Sequence, residues 1–152
     1  MKEQEEKFPL IHVMEDDPVY MNLILKNLAT NGYHNVRSFI NPEIFIEKLN
    51  EKPDIVILDY NLGDYNGIQL LKWIKKEHPD AYVIMLTSQE TVKVAVESLK
   101  HGAFDYIQKN DLAFIILNVL IKTIINLAEE EKNEKSANQN NDFHGFKGFL
   151  RD

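Results

Sequence analysis

The 152-residue chain contains no cysteine. That excludes a disulfide framework and thiol chemistry, and it fits a reducing compartment. No stretch approaches the ~18 uninterrupted apolar residues of a membrane span. The N-terminal segment MKEQEEKFPL is charged and lacks the apolar core of a signal peptide. A cytoplasmic location without a membrane partner is therefore expected. Positive charge is also short. The 24 acidic residues outnumber the 17 basic ones and leave a net charge of -7, which argues against direct nucleic-acid binding. The histidines (His12, His34, His78, His101, His144) show no ligand spacing, so no histidine metal site is expected. No internal repeat is apparent. What remains is 44% hydrophobic and 27% charged, the mix of a globular domain large enough for a real core.

The pattern along the chain alternates between strand and helix. LIHVM, NVRSF, DIVILD, AYVIMLT and DYIQK read as strands. Between them lie helical stretches: PVYMNLILKNLATNG, NPEIFIEKLN, NGIQLLKWIKKEHP and ETVKVAVESLKHG. Leu70, Leu71, Trp73 and Ile74 are read as the apolar side of the third helix. A long last helix, DLAFIILNVLIKTIINLAEEE, closes the pattern, with Asp111 as its expected N-cap. Five alternations predict a five-stranded parallel sheet in an α/β, flavodoxin-like doubly wound (βα)5 fold, strand order 2-1-3-4-5. The domain is expected to span residues 8–131. Residues 132–152 lose apolar periodicity and are expected to be a polar linker or tail, or the start of a further output region.

The strand ends carry the chemistry. Ile55-Val56-Ile57-Leu58 is an apolar run suited to a strand buried on both faces, yet it ends on Asp59. A carboxylate at the rim of a buried sheet is costly unless it is paired or bound to a metal. The first strand ends in Glu15-Asp16-Asp17, the fourth in Thr87-Ser88 and the fifth in Lys109. In the expected order these ends converge at the crevice where open parallel sheets bind ligands. Several carboxylates placed together call for a hard divalent cation with oxygen ligands, Mg²⁺ or Mn²⁺. One of them can then act as a nucleophile toward phosphorus. Lys109 can neutralise charge on the transferring group, and Thr87 can donate a hydrogen bond to it.

Taken in order, VMEDDP, VILDYNLGDYNG, MLTSQ and GAFDYIQK resemble the receiver domain of two-component response regulators over roughly Pro9 to Leu127. The resemblance implies a switch, not an enzyme beyond its own phosphorylation and dephosphorylation. It implies Asp59 as phospho-acceptor, supplied by a sensor histidine kinase or phosphotransfer protein. Glu15 and Asp16 match the acidic metal pair, completed by Asp59 and the backbone carbonyl of Asn61. Thr87 matches the switch hydroxyl, Tyr106 the switch aromatic, Lys109 the phosphoryl-binding lysine, and Gly67 the glycine that opens the third helix. Two departures stand out. Asn110 follows the lysine where the family often has proline, so a trans peptide is expected there. Gly63 replaces a frequent proline in the loop after the acceptor, so a more mobile loop is expected.

Asn61 and Gln89 lie two residues beyond Asp59 and Thr87, at the rim, where their amides can orient a water for dephosphorylation. An aspartate-nucleophile phosphatase is an alternative, but Asp59-Tyr60-Asn61-Leu62 lacks the second aspartate of that pattern. A non-phosphorylated interaction module is another, and it would suit a chain missing an acid or Lys109. On the last helix, Asn118, Lys122, Thr123 and Asn126 form one narrow polar stripe, leaving more apolar surface than a sheet can cover. A homodimer through the face of the fourth helix, fifth strand and fifth helix is the expected use. Cover by Phe143, Phe146 and Phe149 of the tail is the alternative.

Overall fold

The computed structural model describes residues 8–88 and 91–151, with side chains through residue 139. Strands β1 (Ile11–Met14), β2 (Val36–Phe39), β3 (Ile55–Leu58), β6 (Tyr82–Thr87) and β7 (Asp105–Gln108) form one sheet. Its order is β2-β1-β3-β6-β7, and every neighbouring pair is parallel. This is the expected 2-1-3-4-5 topology with two extra strands in the count. Those are β4 (Asn61–Leu62) and β5 (Tyr65–Asn66), an antiparallel hairpin directly after β3 and Asp59. Gly63 makes its turn at φ +66°, so the stretch read as a loop is closed by ladder pairing.

The helices are α1 (Pro18–Thr30), α2 (Pro42–Lys48), α3 (Gly67–Glu77), α4 (Val92–Lys100) and α5 (Ala113–Arg151). The first two begin with proline after a capping residue. Asp17 accepts from Val19 N, and Asn41 accepts from Glu43 N and Ile44 N. Asn66 and Gln69 form a reciprocal capping box on α3. At the entry to α5 the side-chain bond falls on Asn110, whose Oδ1 accepts from Leu112 N (3.0 Å), and not on Asp111. Among the described residues the one cis peptide is Phe8–Pro9, so the Lys109–Asn110 bond is trans.

The chain divides into two units, Met1–Val119 and Leu120–Asp152. The first holds the whole sheet. The apolar strands IVIL and IHVM are buried at every position, as continuous runs in a parallel sheet must be. On one face Met14, Phe45, Val56, Leu58, Leu71, Ile74, Val83 and Met85 form a core cluster. Burying each such side chain contributes about 1.5–3 kcal/mol, which is how this face can also hold His12 at 0% exposure. Trp73 is not part of that core. It is 44% exposed, with Lys76 Nζ 5.8 Å from its ring centroid. The second unit is the continuation of α5. Residues 132–151, placed by composition in a polar linker, carry on this helix, and residues 131–139 are all exposed. The side chains of Phe143, Phe146 and Phe149 lie outside those described.

Candidate phosphorylation site

The ends of β1 and β3 are tied together before any side chain acts. Asp59 N donates to Met14 O (3.1 Å), while Glu15 N on the other side joins β1 to β2 by donating to Phe39 O (3.1 Å). That register places Glu15 and Asp59 side by side, 1% and 5% exposed. The three successive acids of the first strand end separate into different places. Glu15 is buried, Asp16 is exposed, and Asp17 caps α1 through Val19 N (2.9 Å). Ligand oxygens of Glu15, Asp16 and Asp59 all lie within 4.8 Å of one another. This donor set, all carboxylate and converging from two strand ends, fits a hard divalent cation.

Lys109 closes the site from the end of β7. Its Nζ donates to Glu15 Oε2 (2.9 Å) and to Asp59 Oδ2 (3.1 Å). The other acceptor oxygen, Asp59 Oδ1, accepts from Tyr60 N (2.7 Å). The backbone N–H of Lys109 donates to Thr87 O (2.8 Å), which locks the ends of β6 and β7 together. Burial pushes the Glu15 carboxyl up to about 7; the hydrogen bond from Lys109 opposes this and the Asp59 charge adds to it. Burial alone would lower the Lys109 ammonium. Its hydrogen bond to Glu15 and the charge of Asp59 outweigh that, and the net direction is upward. The site thus favours a charged lysine.

The remaining expected residues are spread around this centre. Thr87 is fully buried at the end of β6. Tyr106 is half-buried on β7, in register with Met85 and packed against the core cluster. Asn61 is exposed on β4, paired with Asn66 across the hairpin. Gln89 lies outside the described residues. Gly67 N donates to Tyr60 O (2.7 Å), so α3 begins hard against the backbone that leaves β3. One neighbour went unread in the sequence. The ring of Tyr20 lies 4.3 Å from Lys109 Nζ, measured to its centroid. No spacing in the sequence marks it, because the contact depends on the path of Lys109 from the end of β7.

A buried carboxylate bonded to an ammonium and flanked by two more acids, at the carboxyl edge of a doubly wound parallel sheet, is a site built for an anionic group and a cation. Residues 11–118 match the family described as the response regulator receiver domain, and the chain belongs to that family. It is 36% identical over 104 residues to the luminescence regulatory protein LuxO of Vibrio campbellii, covering 68% of this chain and 23% of that protein. It is 35% identical over 96 residues to the chemotaxis protein CheY of Thermotoga maritima, covering 62% of this chain and 80% of that one. The BeF3-activated receiver domain of DrrB, from Thermotoga maritima, superposes with a TM-score of 0.67 at 28% identity, over 76% of this chain and 96% of that one. The chain thus spans under a quarter of the length of the LuxO relative. Receiver domains are phosphorylation-dependent signalling switches rather than enzymes in general. They bind Mg²⁺ at an acidic pocket and interact with histidine kinases or phosphotransfer proteins. Among the described residues no helix is long and apolar enough to cross a membrane.

Proposed function

We propose that this chain is a phosphoryl-accepting switch whose acceptor is Asp59. The observation that carries the reading is the convergence of Glu15, Asp16 and Lys109 on a carboxylate that is 5% exposed. An Asp59 oxygen attacks the phosphorus of a phosphohistidine on a sensor kinase or phosphotransfer protein. The O–P bond forms as the P–N bond breaks, and the imidazole leaves with a proton. Lys109 shifts from the free carboxylate to a phosphoryl oxygen, and Thr87 donates to another. Glu15, Asp16, Asp59 and the Asn61 carbonyl would hold a divalent cation, Mg²⁺ or Mn²⁺, which supplies charge neutralisation at the transferring group. Reorientation of Thr87 and Tyr106 then alters the surface of α4, β7 and α5. On this reading residues 8–131 are the receiver unit and 132–152 its outgoing segment.

That surface suits a second copy of the chain. Val92, Val96 and Leu99 on α4 are 80%, 56% and 49% exposed, and Leu112 just before α5 and Ile116 near its start are 58% and 40% exposed. A two-fold pair would bury the same apolar patch on both subunits. The primary test incubates wild type and Asp59→Asn with acetyl phosphate or beryllofluoride, with and without Mg²⁺. Incorporation is expected only in wild type with the cation. Undiminished incorporation in Asp59→Asn would refute the assignment. Asp16→Ala should abolish metal binding, because it removes an oxygen donor at the solvent-facing side of the cluster.

A further inference from the structure

Two carboxylates alone fix how far Lys109 Nζ sits from the acceptor, but not the direction from which it arrives. A lysine side chain has four flexible carbons and three rotatable donors, so the same two bonds can be made from several approaches. The third side of this ammonium is closed by an aromatic face. Nζ lies 4.3 Å from the Tyr20 ring centroid, while it is 2.9 Å from Glu15 Oε2 and 3.1 Å from Asp59 Oδ2. The Tyr20 ring is itself held in plane. Phe114, in the first turn of α5, stacks on it with centroids 5.8 Å apart and planes tilted by 23°. A charged ammonium over a half-buried ring is a favourable geometry because the ring face carries negative quadrupole. The arrangement reaches across the fold, since Tyr20, Lys109 and Phe114 come from α1, the end of β7 and α5.

We propose that Tyr20 is a positioning residue for phosphorylation: its ring face seats Lys109 between Asp59 and Glu15, and Phe114, stacked on Tyr20, holds that ring in place. The inference rests on the reading of Asp59 as acceptor. It adds that the lysine's delivery to the phosphoryl group depends on a residue outside the acidic cluster. Because the ring, and not the hydroxyl, faces the ammonium, phenylalanine preserves the function and an aliphatic side chain does not.

The experiment measures the rate of acetyl-phosphate-driven phosphorylation in Mg²⁺ by intact mass. It compares wild type, Asp59→Asn, Tyr20→Leu, Tyr20→Phe and Phe114→Leu, with Tyr20→Leu repeated in a Lys109→Gln background. Tyr20→Leu should slow the reaction about fivefold, the equivalent of about 1 kcal/mol. Tyr20→Phe should recover most of that loss, and Phe114→Leu should show a smaller slowing than Tyr20→Leu. In the Lys109→Gln background Tyr20→Leu should make no further difference, whereas a packing role would persist there. If Tyr20→Leu does not fold, Tyr20→Met carries the same comparison. A wild-type rate in Tyr20→Leu overturns the proposal. So does a Tyr20→Phe as slow as Tyr20→Leu, or an equal loss in the Lys109→Gln background. Phosphorylation that survives in Asp59→Asn instead refutes the acceptor assignment and is read separately.

Discussion

Gly67 stands against the backbone of Asp59 with no room for a side chain: a β-carbon added to it would overlap the Asp59 carbonyl oxygen and press on Tyr60 Cα. The glycine is therefore required by the backbone at the end of β3 and not by its own helix. Helix propensity alone would favour alanine there by about 1 kcal/mol. A clash with backbone has no flexible end to yield, and overpacking typically costs about 1–3 kcal/mol. Gly67→Ala should lower the urea midpoint and slow phosphorylation together, as α3 is pushed off β3. A midpoint at or above the wild-type value would show that the helix start can move freely.

Asn61 lies exposed two residues beyond Asp59, at the first position of the small hairpin. On the proposed reading its amide would orient a water toward an acyl phosphate at Asp59. Replacing it with leucine or methionine should exclude that water and slow dephosphorylation by roughly threefold, about 0.7 kcal/mol in barrier. Decay followed by intact mass after removal of acetyl phosphate measures this. Unchanged or faster decay would remove Asn61 from the rim mechanism.

His12 sits at 0% exposure against the rings of Phe39 and Phe45, which also touch each other, with Glu51 Oε1 3.8 Å from its Nε2. Burial lowers its pKa from 6.5 to about 4, opposed by the charge of Glu51 and reinforced by Arg37. A folded-state value below the unfolded one means that the unfolded chain binds more protons between those limits. Stability attributable to His12 is thus full above about pH 6.5 and falls as pH drops toward 4. At pH 5 the loss is at most about 2 kcal/mol. Glu15, raised by burial, works in the opposite sense, so the wild-type profile alone does not isolate His12. The difference between wild type and His12→Leu in urea unfolding at pH 7.5 and pH 5 does: the variant should gain relative to wild type at pH 5. An equal gap at both pH values would show that His12 does not titrate on unfolding.

If a second copy covers the exposed valines and leucines of α4 and α5, sedimentation should detect a concentration-dependent dimer that beryllofluoride strengthens. Val96→Glu should shift it to monomer while leaving phosphorylation of Asp59 intact. A wild-type monomer under all conditions would exclude this face as a dimer interface. A chain ending near Lys132, run in parallel, separates a contribution from the outgoing segment: aggregation of that form alone would favour cover by the tail.

Much of this arrangement was legible in the residues. IVILD names a buried strand ending on a carboxylate, and the alternation of apolar runs with capped helices leaves few topologies. From that order the approach of Glu15, Asp16, Asp59 and Lys109 follows without coordinates. Other features depend on distances that no pattern encodes. The hairpin after Asp59 was unreadable because two-residue strands have no periodicity to detect. Trp73 was misread because its neighbours Leu70, Leu71 and Ile74 complete the apolar stripe without it. The continuation of α5 past Lys132 went unread because its polar stretch through residue 139 is exposed and leaves no amphipathic trace. Tyr20 looked like an ordinary apolar position of α1, and only the three-dimensional path of Lys109 sets an ammonium over its ring.

The partners gathered around Lys109 also set an arithmetic of valence. When ionised, Glu15, Asp16 and Asp59 bring three negative charges to a space 4.8 Å across, and the Lys109 ammonium cancels one of them. Two remain. A monovalent ion leaves that deficit half filled, and a trivalent one overshoots it. A divalent ion brings the pocket to electrical neutrality, the state least costly to keep away from bulk water. On the reading proposed for Asp59, Lys109 would do more than meet a phosphoryl group: its single charge would set the balance that a doubly charged cation completes.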